Sequence, residues 1–253
     1  MKKRLILIAA LCMAVSATAF CQKKTTTTSK GTAPTQTSQQ VNRPSQSSTQ
    51  RATVVGNERM DDKEGLPDFD KSGGKPFLDI LREKESICSL TPEALDARTV
   101  SMLLWAACGR TDAPESFTAL YTGKKPCIDV YLINENGIYK YERNEHRLLL
   151  VKHGHFMNLL QSEEGEQFPT PMALLYTCNP EEVELNSETD VNIKDIIIGI
   201  NCGAIMQNVS LFCASENLSC TQISLSEVQK EKLRINLHNA SGNIICIQAV
   251  SRR

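Results

Sequence analysis

The sequence predicts an α+β domain in which antiparallel strands pack against helices. Three observations support this prediction: alternating apolar residues between 127 and 151, a continuous apolar run from Pro171 to Cys178, and a long apolar helix from Asp190 to Glu216. Alternation is typical of a strand with one solvated face, and a continuous run suits a strand at the centre of a sheet. The expected fold is therefore an antiparallel-rich central sheet flanked by helices, with one long buried helix.

Two helices are predicted before the first strand. The segment from Phe77 to Lys84 has apolar residues on one face, as in a short amphipathic helix. Thr91-Pro92-Glu93 combines a capping residue, a proline suited to the first helical position and an acid near the positive end of the helix dipole. We therefore expect a second helix to start here and to end at Gly109.

A β-hairpin is predicted in the middle of the chain. Strands are expected over Cys127 to Ile133, Ile138 to Tyr141 and Arg147 to Val151. The dipeptide Asn136-Gly137 lies between the first two, and this pair between apolar runs is a strong hairpin signal.

The long helix predicted from Asp190 to Glu216 has apolar residues on nearly all sides. Such a helix is either buried on several sides or lies at a subunit interface. Polar interruptions such as Lys194 and Asp195 argue against a membrane span. A helix from Leu225 to Leu237 and a strand from Asn243 to Val250 complete the predicted elements.

The chain begins with the features of a secretory signal peptide. Lys2 to Arg4 precede an apolar stretch from Leu5 to Val15, and small residues follow it. The stretch is too short to span a bilayer, so we interpret residues 1–22 as a cleaved signal peptide of an exported, periplasmic or cell-envelope protein. A lipid anchor at Cys21 is the alternative, against which the bulky Phe20 argues.

A polar linker is predicted over residues 23–75. Between Lys23 and Gln50, 18 of 28 residues are Thr, Ser or Gln. Such a segment has too few apolar side chains to offset the entropy of ordering, so it is expected to be a flexible tether. The folded domain is accordingly predicted over residues 76–253.

Charge is distributed unevenly along the 253 residues. Residues 1–50 hold seven Lys or Arg and no acid, whereas residues 76–253 hold 16 basic and 23 acidic residues, a net charge near −7. A domain this acidic argues against a nucleic-acid partner, because phosphates favour a basic face.

Eight cysteines follow the signal region. An even set could form disulfides outside the cytosol. However, Cys108, Cys202 and Cys213 fall inside apolar helical patterns, where a free cysteine behaves as a small hydrophobe. We expect buried thiols with one or two disulfides. Cysteine and histidine spacings show no metal-binding pattern, so no metal site is predicted.

Three motifs together resemble the nitroreductase-like flavoprotein family, in the branch that contains the oxidases of peptide-azoline maturation. Leu103 to Gly109 looks like the branch's LLWAAxG helix. Ile128 to Tyr131, Gly137 to Tyr141 and His146 to Leu148 are similar to its strand, its GvYxY hairpin and its HxL segment. Gly199 to Leu211 looks like its central helix, which carries the pattern GxxxQNxxL.

This resemblance implies a homodimer with FMN at the interface and NAD(P)H as the usual electron donor. The implied activity is that of an FMN-dependent oxidoreductase that reduces a small nitro or quinone compound. In such enzymes the flavin performs hydride transfer, while the protein supplies binding and electrostatics. No catalytic residue is assigned by the sequence.

The phosphate-binding motif of the family is altered in this sequence. The family's Arg-x-Ser-x-Arg element corresponds to Lys84-Glu85-Ser86-Ile87-Cys88. The resemblance therefore implies Lys84 and Ser86 as cofactor-binding residues. Cys88 stands in place of the second arginine, a loss worth about 2 kcal/mol, and Glu85 adds a repulsive charge.

Two classes of function follow. One is the exported FMN-dependent oxidoreductase, in which Arg252 and Arg253 at the chain end could supply the missing phosphate contacts. The other is a nitroreductase-like scaffold that has lost flavin and acts as a binding or structural module. The altered motif and the scarcity of nicotinamide cofactors outside the cytosol favour the second.

Overall fold

The computed structural model describes residues 65–85, 89–162, 165–184, 191–237 and 242–253, and of residues 191–192 only the backbone. The predicted signal peptide, most of the predicted linker and residue Ser86 lie outside this range. The described helices are α1 (Phe77–Glu83), α2 (Ala97–Cys108), α3 (Val191–Ser215) and α4 (Glu227–Arg234), and the strands are β1 (Asp129–Asn134), β2 (Gly137–Glu142), β3 (Arg147–His153), β4 (Met172–Cys178), β5 (Leu218–Ile223) and β6 (Asn243–Arg252).

The strands form one six-stranded sheet in the order β3-β2-β1-β4-β6-β5. Every neighbouring pair is antiparallel. All seven residues of β4 are buried, and β4 lies between β1 and β6. The predicted α+β fold and the central position of the 171–178 run are both confirmed.

Helices and loops cover both faces of the sheet. Helices α2 and α3 pack on one face, whereas α4 and the segment around Met157 pack on the other. A strand covered on both faces must be apolar at consecutive positions, which explains the uninterrupted apolar sequence of β4. Its buried residues divide between the two faces: Leu174 and Tyr176 face the α2–α3 layer, and Ala173 and Leu175 face the α4 layer.

The turn between β1 and β2 is held by Asn134. Its side-chain Oδ1 accepts hydrogen bonds from the backbone N–H groups of Asn136 (2.9 Å) and Gly137 (3.2 Å). A side chain at Gly137 would put its Cβ 2.4 Å from the carbonyl oxygen of Lys152 on β3. The glycine is therefore required by the close approach of a neighbouring strand, and the predicted hairpin is confirmed.

Helix α2 begins later than predicted. The side chain of Asp96 caps it by accepting from the backbone N–H and the hydroxyl of Thr99, each at 2.9 Å. Thr91 instead bonds to β6, with its N–H donating to Ser251 Oγ (3.1 Å) and its hydroxyl donating to the Arg252 carbonyl (2.9 Å). The Thr-Pro-Glu capping pattern was overridden by this tertiary contact.

Strand β5 was not predicted from the sequence. It is an edge strand that pairs only with β6, and its residues include the polar Ser219, Thr221 and Gln222. Its pattern is weak because Ser219 is buried although it is polar, so the strand does not alternate between apolar and polar residues.

The fold also begins before the predicted boundary at residue 76. Leu66 is buried, and the carbonyl of Pro67 accepts a hydrogen bond from the Ser101 hydroxyl on α2 at 2.6 Å. The ring of Phe69 packs edge-on against Trp105 at 5.5 Å between centroids. Residues 66–69, assigned to the linker from composition, are therefore part of the packed structure.

His146 joins this segment to the hairpin. Its Nδ1 lies 2.7 Å from the Tyr141 hydroxyl and its Nε2 lies 2.8 Å from Ser101 Oγ. Because the Ser101 hydroxyl donates to Pro67, it accepts from His146, which fixes the neutral Nε2–H tautomer and leaves Nδ1 to accept from Tyr141. Burial lowers the pKa of His146, and the charge of Lys71 lowers it further.

We predict that His146 makes folding stability depend on pH. A histidine whose pKa is lower in the folded state stabilises the protein above the unfolded-state pKa of about 6.5, and this stabilisation is lost as the pH falls. Replacing His146 with Gln should cost about 2 kcal/mol at pH 7.5 and flatten the fall of stability below pH 6.5. Chemical denaturation between pH 5 and 8 measures both effects, with the exposed His153→Gln as the matched control. Equal pH profiles for wild type and His146→Gln would contradict this role.

Candidate functional site

The sequence-predicted phosphate-binding residues begin at the end of α1. Lys84 is the residue after the helix, and its backbone N–H donates to the carbonyl of Ile80 at 2.9 Å. Its side chain is half-buried. The pKa of the Cys220 thiol on β5 is lowered mainly by Cys213 and, to a smaller extent, by the charge of Lys84. Ser86, the other predicted contact, is outside the described residues, as is Cys88.

The chain end approaches the same place. The Arg253 guanidinium pairs at 3.3 Å with the carboxylate of Glu85, the residue that follows Lys84 in the sequence. Arg252 is directed elsewhere, because it pairs with Asp96 at 3.3 Å and donates to the Ala94 carbonyl. Of the two terminal arginines, Arg253 therefore lies beside the predicted phosphate-binding segment, and Arg252 supports the start of α2.

Lys75 adds a third cation that sequence reasoning missed. Its Nζ donates to Glu83 at 2.9 Å and to the Ala214 carbonyl near the end of α3 at 3.2 Å. The hydrogen bond from Lys75 lowers the pKa of Glu83. Lys75 was assigned to the linker, so no sequence signal connected it to the site.

A phosphate monoester bound at this segment would have to compete with Glu85 for Arg253. The Arg253–Glu85 pair is the obstacle, but its side chains are 34% and 59% exposed. An exposed ion pair is worth about 0–1 kcal/mol, whereas arginine binds phosphate through stronger charge-assisted, often bidentate, hydrogen bonds. A phosphate group can therefore displace Glu85 from Arg253, although Glu85 weakens the site.

Asn208, in the Gln-Asn part of the α3 motif, has a structural role. Its Nδ2 donates to the carbonyl of Ala106 at 3.1 Å and to that of Thr118 at 2.9 Å. Asn208 thus ties α3 to the last turn of α2 and to the loop that follows. Gln207 is exposed.

Helix α3 has one buried side and one exposed apolar side. Ile193, Ile196 and Ile200 are 40%, 60% and 47% exposed. Gly199 and Gly203 share this side, and beyond the helix's own backbone and the neighbouring residues a Cβ added to either would meet no atom within 4 Å. Within the described residues α3 meets the length and hydropathy criteria of a membrane span, which buried helices of soluble proteins also meet. We call this exposed side the α3 face.

Two cavities lie away from the segment that holds Lys84 and Arg253. One of about 250 Å³ is lined mainly by apolar residues such as Leu95, Leu132 and Met157. The other, of about 350 Å³, opens beside Cys127 and Lys140. Neither is lined by the cations described above. Over the described ranges, no group of three or more His, Cys, Asp or Glu side chains is placed to hold a metal ion.

The sequence matches no protein-family model and no curated protein. Solved structures do match. A nitroreductase-like protein from Ralstonia eutropha superposes with a TM-score of 0.65 at 24% identity, over 79% of this chain and 92% of that one. One from Anabaena variabilis gives a TM-score of 0.54 at 15% identity, over 68% of this chain and 37% of that one.

The McbBCD microcin synthetase complex of E. coli is a third structural neighbour. Its matching chain gives a TM-score of 0.52 at 16% identity, over 68% of this chain and 67% of that one. Identities below 25% establish the fold and not the activity. The chain has the fold of the nitroreductase-like proteins, as its three sequence motifs predicted.

Proposed function

We propose that this chain is an exported, FMN-dependent oxidoreductase of the nitroreductase type that reduces a small nitro or quinone compound. The observation that supports this most directly is the approach of Arg253 to the segment that begins at Lys84. In this proposal, Arg253 from the chain end takes the role of the arginine that the family has where this sequence has Cys88. The leader-like residues 1–22 support export.

Within this proposal, Lys84, Arg253 and the Ser86 hydroxyl hold the phosphate of FMN. Bound flavin would supply the hydride-transfer chemistry, with NAD(P)H as the proposed electron donor. The chain's own contribution in this proposal is to fix the phosphate by charge. Glu85 limits the affinity, because it competes with the phosphate for Arg253.

We further propose that the protein is a homodimer formed through the α3 face. Three exposed isoleucines on one side of a helix are costly in water, at about 25 cal/mol for each Å² of apolar surface left exposed. Gly199 and Gly203 leave open space in which the backbone of a partner helix can come close. The single chain thus leaves uncovered a surface suited to a second copy.

The second candidate function is a flavin-free scaffold. The Arg253–Glu85 ion pair favours it, since it neutralises a phosphate-binding cation within the chain itself. The two candidates differ in one measurable property, the affinity for FMN relative to riboflavin, which lacks the phosphate.

We predict that the purified protein, freed of flavin, binds FMN more tightly than riboflavin. Arg253→Ala should weaken FMN binding by about 2 kcal/mol, or roughly 30-fold in Kd, and leave riboflavin binding unchanged. Glu85→Gln should tighten FMN binding, because it removes the competing carboxylate. Flavin absorbance between 370 and 450 nm and quenching of flavin fluorescence measure both affinities.

Arg234→Ala is the control for this experiment, because Arg234 forms a similarly exposed ion pair with Glu231 on the distant α4. It should leave FMN affinity unchanged. If the folded wild-type protein binds neither flavin, and the Glu85→Gln variant binds neither as well, the oxidoreductase is excluded and the scaffold remains.

We predict that Ile196→Glu converts a dimer into a monomer. A carboxylate on the α3 face would be buried without a partner in the dimer but solvated in the monomer. Multi-angle light scattering over a concentration series measures the mass. Val228→Glu on α4 is the control, because Val228 is 64% exposed and lies outside the α3 face. A wild-type protein that is monomeric at all concentrations would disprove the dimer.

A further inference from the structure

The cavity of about 250 Å³ lies between the end of the sheet and the start of α2. Leu132 and Met172 line it from the neighbouring strands β1 and β4, and both face the α2–α3 layer. Leu95, just before α2, and Val100, on α2, line it from that layer. All four side chains are at most 4% exposed. The cavity therefore extends into the apolar core.

The segment that Thr91 holds against β6 forms another wall. Pro92 and Ala94 line the cavity from this segment, ahead of Ala97, the first residue of α2. The contact of Thr91 with β6 keeps this stretch out of the helix. The same tertiary contact that delays the start of α2 thus also places one wall of the cavity.

Asn134 supplies a hydrogen-bond donor to this cavity. It is 5% exposed and lines the cavity from the last position of β1, opposite Met172. Both partners of its Oδ1 are backbone N–H groups, which fixes the orientation of the side-chain amide. Among the residues that the structure describes, Nδ2 has no hydrogen-bond acceptor. It is therefore a buried donor that a molecule in the cavity can reach.

A donor beside apolar walls is costly unless an acceptor meets it. Water is a poor partner here, because a buried water typically makes about three hydrogen bonds and the walls named above are apolar. Thr170 is the other buried polar residue of the lining, and its hydroxyl hydrogen is already directed at the carbonyls of Met172 and Val250. The cavity thus suits an apolar molecule that carries a hydrogen-bond acceptor.

Charge and volume narrow the class of molecule. Of the described residues that line the cavity, none is Lys or Arg, and Glu135 is a carboxylate at its exposed side. An anion would therefore lose its hydration without gaining a cation. An apolar cavity of about 150 Å³ is large enough to bind benzene, so the larger volume here can hold one substituted ring.

We propose that this cavity binds a small neutral aromatic compound that carries a carbonyl oxygen. The ring lies among the apolar walls, and Asn134 Nδ2 donates a hydrogen bond to the carbonyl. This proposal does not depend on flavin binding or on the dimer.

The test measures how two probes of similar shape bind to the full-length protein at pH 8, by fluorine NMR. para-Fluoroacetophenone carries the carbonyl oxygen, and para-fluoroethylbenzene does not. We expect the wild type to bind both, since both fit the apolar walls. Asn134→Asp keeps the acceptor that the turn needs but replaces the donor with an oxygen. It should weaken the binding of para-fluoroacetophenone about tenfold relative to that of para-fluoroethylbenzene.

Two further variants serve as controls. Asn236 also accepts through Oδ1, from Lys152, and donates through Nδ2, to the Lys232 carbonyl, but it does not line the cavity. Asn236→Asp should therefore leave the ratio of the two affinities unchanged. Ala94→Leu fills the cavity without removing a hydrogen-bonding side chain and should abolish the binding of both probes. Binding of both probes that survives Ala94→Leu would place them at another site and contradict the proposal.

A second readout follows the donor itself. In nitrogen-edited proton NMR spectra, the side-chain amide signals of Asn134 are identified by their loss in Asn134→Asp. They should shift further with para-fluoroacetophenone than with para-fluoroethylbenzene. A wild type that does not bind para-fluoroacetophenone, or an Asn134→Asp variant in which both probes lose affinity equally, would overturn the proposal.

Discussion

Burial of β4 on both faces is the constraint on which the rest of the structure depends. A strand with seven consecutive buried residues is stable only if a layer of structure covers each face, because each large apolar side chain gains about 1.5–3 kcal/mol from burial. Helices α2 and α3 supply one layer, and α4 with the Met157 segment supplies the other.

The long strand β6 carries this constraint to the candidate phosphate site. It pairs with β4 in the core and continues beside β5 to Arg252. Thr91 bonds to its last residues, which holds the segment before α2 against the chain end. Arg253 therefore lies beside Glu85 because β6 pairs with β4 and β5, and both of these strands are distant from Lys84 in the sequence. The site is assembled by the sheet and not by its own short sequence motif.

This origin explains what the sequence could predict. The hairpin, β4, α3 and the overall fold could be predicted, because local patterns coincide with the tertiary structure at Asn136-Gly137 and along residues 172–178. The start of α2 could not, since a good capping pattern at Thr91 was taken over by contacts to β6. The roles of Leu66, Lys75 and β5 were missed as well. Each is defined by a partner distant in sequence, such as the Ala214 carbonyl for Lys75.

The candidate phosphate site and the Asn201 contacts of α3 differ in how strongly the fold fixes them. Arg253 and Glu85 are surface side chains whose ion pair contributes at most about 1 kcal/mol, so a single substitution or a bound anion can rearrange them. The contact of α3 with the segment before β1 is instead fixed from within the fold, because Asn201 is buried, donates to Cys127 Sγ and to the Thr122 carbonyl, and accepts from the Thr122 N–H. A substitution at Arg253 or Glu85 can therefore alter the candidate phosphate site and leave the fold intact, whereas loss of the Asn201 side chain would leave buried backbone groups of Thr122 without their partner.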